Sequence, residues 1–189
     1  MDLALYQLEQ ALQLPATCQP HDSLTDFNAE LYMGTWFEQV HTVGSAFQSS
    51  TDVCGQAIYS DLTDDGHFSI YNSAQKTLDK PRSGVHGDGY CPDSTGGCYV
   101  HFYGPGKDRP NYTVIDTDYS TYTVVYACSI RQENVWLITR DAVMSDELHQ
   151  QMLDIVSSKL PTFDQTRFNH VNVQGSECAY VSEASRFLQ

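Results

Sequence analysis

A series of short β-type runs separated by turn clusters constrains this chain more than any other feature. Candidate strands are Thr35–Thr42, Cys54–Asp61, His67–Ala74, Gly84–Tyr90, Cys98–Tyr103, Tyr112–Asp116, Tyr122–Ile130 and Asn134–Thr139. The punctuation between them is rich in Gly, Asp and Pro, as in Thr63-Asp64-Asp65-Gly66, Pro92-Asp93-Ser94-Thr95-Gly96-Gly97 and Gly104-Pro105-Gly106. Eight strands at this spacing predict an antiparallel barrel or a sandwich. One segment departs from the pattern. Ser145 is a good N-cap, Asp146 and Glu147 follow it, and Leu148, Met152, Ile155, Val156 and Leu160 recur at helical spacing before Pro161. This predicts one amphipathic helix over about 145–160, packed outside the sheet.

With 189 residues, 41% of them hydrophobic and 18% charged, the chain suits one folded domain over 1–189, with the barrel at about 33–141 and an extended tail at 164–189. No repeat or linker divides it. The formal charge of −14, with no Lys/Arg cluster to offset it, repels phosphate backbones, so nucleic acid is not an expected partner. No apolar run reaches membrane-spanning length. Leu3, Leu5, Leu8, Leu12 and Leu14 suggest a short helix that stops at Pro15. The first residues lack the basic stretch and apolar core of a secretory leader, so Met1 reads as a start placed before a mature secreted sequence.

Six cysteines at 18, 54, 91, 98, 128 and 178 form no CxxC pair, which favours three disulfides in an oxidising compartment but leaves their connectivity open. The sequon Asn111-Tyr112-Thr113 fits secretion and marks Asn111 for glycosylation.

Three segments belong together. They are Gly34-Thr35-Trp36, Thr117-Asp118-Tyr119 before the seventh run, and Trp136-Leu137-Ile138-Thr139-Arg140 before the helix. In this order they resemble the three signatures of the lipocalin family: GxW on the first strand, TDY before the seventh, and an Arg after the eighth. The flavour is that of the apolipoprotein D, bilin-binding protein and crustacyanin branch, and the resemblance spans roughly 18–180. Asp164-Gln165-Thr166-Arg167-Phe168 and Val173-Gln174-Gly175-Ser176-Glu177-Cys178 are especially crustacyanin-like.

The resemblance implies an eight-stranded antiparallel up-and-down β-barrel with one C-terminal helix outside. It gives Trp36 and Arg140 a structural role, the indole plugging the closed end beneath the guanidinium, a contact worth about 0.5–2 kcal/mol. It also implies the disulfides Cys18–Cys128 and Cys54–Cys178. Cys91 and Cys98, which remain, bracket a hairpin and read as a local staple. A metal site built from Cys91, Cys98, His86 and His101 is the rival reading.

Strand alternation, started from an inward Trp36, assigns the lumen. Ala57, Tyr59, Phe68, Ile70, Asn72, Val85, Val100, Phe102, Tyr112, Val114, Val125 and Trp136 are expected to line it, with Phe47 as a gate in the loop after the first strand. Small residues (Ala57, Gly87, Ala127) are expected to leave volume for a ligand, and Asn111 falls on the outer face. This is the chemistry of a hydrophobic-ligand pocket. The implied function is a secreted, extracellular carrier of a small lipophile, a carotenoid or bilin pigment first, and otherwise a retinoid, sterol or fatty acid. It needs no metal and no further cofactor, and it assembles as a homo- or hetero-oligomer where subunits enclose pigment together. An enzyme is not expected: GxSxG, HExxH and phosphate-binding loops are absent from the sequence. The alternatives are a lipid-acting enzyme using a free thiol in the barrel, for which Cys54 is the candidate, and an interaction scaffold using the open-end loops.

Overall fold

The computed structural model describes residues 18–21, 24–43, 51–103, 109–129, 132–169 and 173–182. The expected helix before Pro15 and the loop residue Phe47 lie outside these. In chain order the elements are α1 (Ala29–Tyr32), β1 (Gly34–Thr42), β2 (Val53–Ser60), β3 (His67–Gln75), β4 (Arg82–Tyr90), β5 (Gly97–His101), β6 (Tyr112–Thr117), β7 (Tyr122–Ser129), β8 (Gln132–Thr139), α2 (Asp146–Lys159) and the short β9 (Phe168–Asn169). Each of β1 to β7 pairs antiparallel with the next, and β1 closes the barrel by pairing with both β2 and β8. β9 adds two residues to the far end of β1.

Local chemistry sets the strand limits. Gly66 closes the β2–β3 turn at φ +87°, and a Cβ there would sit 2.6 Å from the Cys91 carbonyl oxygen, so only glycine fits. β4 starts at Arg82, two residues earlier than expected. The Arg82 guanidinium donates to Ser73 Oγ, Cys54 O and Ala179 O at 2.9, 2.8 and 2.6 Å, binding three segments together. β5 ends at His101 rather than Tyr103, and the Phe102 ring covers Gly87 of β4.

Two apolar layers flank the barrel wall. On the outside, Met152 and Val156 of α2, with Leu160 and Phe163 after it, pack on Val40, Ile115, Tyr122, Val124, Tyr126, Val135 and Leu137. The helix starts as its sequence dictates: Ser145 Oγ accepts from Leu148 N at 3.2 Å, and Asp146 and Glu147 complement the N-terminal dipole. On the inside, Trp36, Tyr59, Phe68, Ile70, Val114, Val125 and Ile138 form a second buried cluster.

All six cysteines are paired, as Cys18–Cys128, Cys54–Cys178 and Cys91–Cys98. The staple consumes both thiols that the rival metal site required, and among the described residues no His/Cys/Asp/Glu group is arranged to hold a metal ion.

Candidate ligand-binding calyx

One end of the barrel is sealed. Trp36 is fully buried, its Nε1 donates to the Tyr32 carbonyl at 2.9 Å, and the Arg140 guanidinium lies 3.7 Å over its ring. Arg140 also donates to the carbonyls of Tyr119, Thr35, Leu31 and Met33, each at 2.9 Å. The second motif makes one of those carbonyls available. Asp118 Oδ1 accepts from the backbone N–H groups of Ser120, Thr121 and Tyr122 at 3.1, 2.7 and 3.0 Å, holding a turn in which Tyr119 adopts φ +65°. Burial raises the Asp118 pKa, but these donors outweigh it and leave the carboxyl below its ordinary range. Phe27 and Tyr32 complete the seal.

Above the seal sits a chain of phenols. Tyr112 Oη lies 2.7 Å from Tyr32 Oη and 3.0 Å from Tyr59 Oη. Burial disfavours the phenolates and raises all three pKa values, that of Tyr59 to about 12. The three hydroxyls therefore stay protonated and neutral across the physiological range.

The structure gathers ten of the expected lining residues on the inner cluster: Ala57, Tyr59, Phe68, Ile70, Val100, Phe102, Tyr112, Val114, Val125 and Trp136. Asn72 and Val85 face each other across β3 and β4, both half-buried. Burial divides the lumen. Tyr59, Phe68, Ile70, Val114 and Val125 are buried, whereas Ala57, Asn72, Val85, Val100, Phe102, Tyr112, Ala127, Asn134 and Trp136 remain partly exposed. The inner wall thus has a packed part near the plug and an open, mixed apolar part.

One expectation needs correction. Gly87 does not leave room for a ligand, because a Cβ there would lie 2.6 Å from the Phe102 ring. Neighbouring Gly89 is likewise covered by Phe68. These rings fill the gaps that the glycines open. Asn111 is half-buried and tied to the neighbouring strand. Its Oδ1 accepts from Val100 N at 2.8 Å and its Nδ2 donates to Val100 O at 2.9 Å, bridging β5 and β6.

Alternation also missed two lumen residues. A bulge between Glu38 and Val40 shifts the β1 register, so Glu38 pairs with Ile138 and His41 with Trp136, both inward positions. Strict alternation from Trp36 would turn His41 out, and no residue type in Glu38-Gln39-Val40 signals the bulge. His41 Nδ1 lies 2.8 Å from Glu38 Oε1, and their side chains are 3% and 13% exposed. Tyr32 was missed for another reason: it belongs to α1, a single turn too short for periodicity to mark.

The barrel, its plug and the helix outside form the frame on which comparison with known proteins bears. The lipocalin-like domain family matches residues 27–173. This chain belongs to the lipocalin family. The lipocalin is 29% identical over 136 residues to the outer membrane lipoprotein Blc of Citrobacter freundii, covering 71% of this chain and 73% of that protein. It is 27% identical over 178 residues to the Lazarillo protein of Schistocerca americana, covering 81% and 78%. Among solved structures, lobster apocrustacyanin A1 superposes with a TM-score of 0.70 at 22% identity, covering 88% of this chain and 93% of that one. That likeness establishes the fold. Because Cys54 is bonded to Cys178, the lipocalin has no barrel thiol to serve as a nucleophile.

Proposed function

We propose that this lipocalin is a secreted carrier that holds a small hydrophobic molecule in its calyx, a conjugated pigment such as a carotenoid or bilin first among the candidates. The observation that carries the reading is the divided lumen: a sealed, packed end beneath a partly exposed wall of Ala57, Val100, Phe102, Ala127 and Trp136. A closed core would have buried these residues. The flat side chains of Tyr59, Phe68, Phe102, Tyr112 and Trp136 on the inner wall suit a conjugated chain or a tetrapyrrole. Three disulfides support an extracellular setting. A glycan on Asn111 would be attached before β5 and β6 pair, since the folded amide nitrogen is engaged with Val100.

Titration with biliverdin and with canthaxanthin tests this. The chain has two tryptophans, and Trp36 is sealed under Arg140, so quenching reports on Trp136. Saturable quenching with induced visible dichroism is expected, and Trp136→Ala should weaken binding about ten-fold, or about 1.4 kcal/mol. Visible absorbance of the natively sourced protein, followed by mass spectrometry of its organic extract, identifies the cargo. A colourless native protein with no extractable lipophile contradicts the reading.

A further inference from the structure

The inner wall carries three polar atoms that have no hydrogen-bond partner: His41 Nε2, Asn72 Oδ1 and Asn134 Oδ1. Each unsatisfied buried group costs about 1–3 kcal/mol. A wall meant to meet only hydrocarbon would not keep three. His41 differs from the two amides because it belongs to a pair. Glu38 Oε1 accepts at Nδ1, so that nitrogen holds a proton and fixes the ring, while Nε2 is buried without a hydrogen-bond partner on a residue that the β1–β8 register sets opposite the inward Trp136.

We propose that Nε2 of His41, positioned by Glu38, is the polar anchor of the calyx, and that it donates to the carbonyl oxygen of a neutral lipophile. The inference rests on the carrier reading and narrows its ligand: a carotenoid ketone fits the anchor, and any carboxylate the ligand carries, such as a bilin propionate, must lie away from His41. Charge decides against an anionic head group. Glu38 on β1 and Asp52 at the entry to β2 already act on His41. Asp52 is itself bonded to Lys76 at 3.0 Å, and β8 presents the uncharged Trp136 and Asn134. A ligand carboxylate would meet these acids inside a chain of formal charge −14.

Protonation follows from the same geometry. Burial pushes the His41 pKa down, but the Glu38 hydrogen bond and charge, with Asp52 behind them, raise it above the ordinary histidine value. The donor form therefore prevails below the raised pKa and is lost as pH rises through it. A carbonyl can only accept, so its binding should follow that loss. A hydroxyl can donate to the neutral nitrogen instead, so its binding should not.

Fluorescence titration with retinyl acetate, retinol and retinoic acid at about pH 6 and about pH 8.5 tests the anchor. Retinyl acetate should bind about ten-fold more weakly at the higher pH, retinol should change less than about two-fold, and retinoic acid should be the weakest at the higher pH. His41→Gln should bind retinyl acetate with no pH dependence. Glu38→Gln should move the transition to lower pH. Retinol binding and far-UV dichroism check that the variants fold. If His41→Gln fails to fold, the wild-type pH profile and Glu38→Gln decide. A pH-independent retinyl acetate affinity alongside good retinol binding overturns the anchor and leaves the carrier reading intact, as does pH dependence that survives in His41→Gln. If neither neutral retinoid binds at either pH while biliverdin or canthaxanthin does, the anchor fails and the carrier reading stands; if none of the four binds, both fail.

Discussion

Arg140→Ala is expected to destabilise the barrel by about 4 kcal/mol, a large share of the roughly 5–15 kcal/mol that holds a domain folded. The guanidinium lies on Trp36 at 3.7 Å and donates to four carbonyls from α1, β1 and the turn before β7, each at 2.9 Å. Charge-assisted hydrogen bonds contribute about 1.5–3 kcal/mol each but not additively, and the stacking contributes about 0.5–2 kcal/mol. Truncation also leaves half-buried carbonyls without a donor. Arg140→Lys keeps the charge but cannot reproduce the planar fan, so it should lose about half as much. Urea unfolding with an unchanged m-value reads both effects. A loss below about 1 kcal/mol for Arg140→Ala would mean that the plug is held by Trp36 packing alone.

Removing a long disulfide should cost at least as much, and the order among the three bridges is the sharper test. Cys18–Cys128 and Cys54–Cys178 span 110 and 124 residues, whereas Cys91–Cys98 spans 7. If the bridges act by restricting the unfolded chain, Cys18→Ser with Cys128→Ser should cost about 4–5 kcal/mol. Cys91→Ser with Cys98→Ser should cost about 2–3 kcal/mol. Equal losses would place the effect in native packing instead. Cys98 is 1% exposed within the inner cluster, so its substitution could act there.

The fold was legible because two independent signals agree. Turn clusters delimit eight runs, and the three motifs say how the first, seventh and eighth meet at the plug. The helix was legible from Ser145 to Leu160 because its cap, charges and apolar spacing coincide. The lining was legible wherever alternation holds: Tyr59, Phe68, Val114 and Val125 all lie where period two puts them. It failed where backbone irregularity or side-chain reach takes over. The bulge at Glu38–Val40 brings in His41, the reach of the Phe102 ring fills the gap at Gly87, and the single turn of α1 supplies Tyr32. Each depends on tertiary contacts that no local window contains. Phe47 lies outside the described residues, so its role as a gate stays an expectation from the sequence.

The three disulfides, the α2 seam and the Trp36–Arg140 plug share one further property: none draws on Trp136, Ala127, Asn134, Asn72 or Val85. The parts that keep the chain folded and the parts that would select its cargo are different residues, which alternate between the outer and inner faces of β7 and β8. Substitutions in the open part of the lumen can therefore accumulate with little loss of stability. For evolution, this means that one frame can be passed from cargo to cargo. For engineering, the same residues are where a randomised library should be placed, with the frame left untouched.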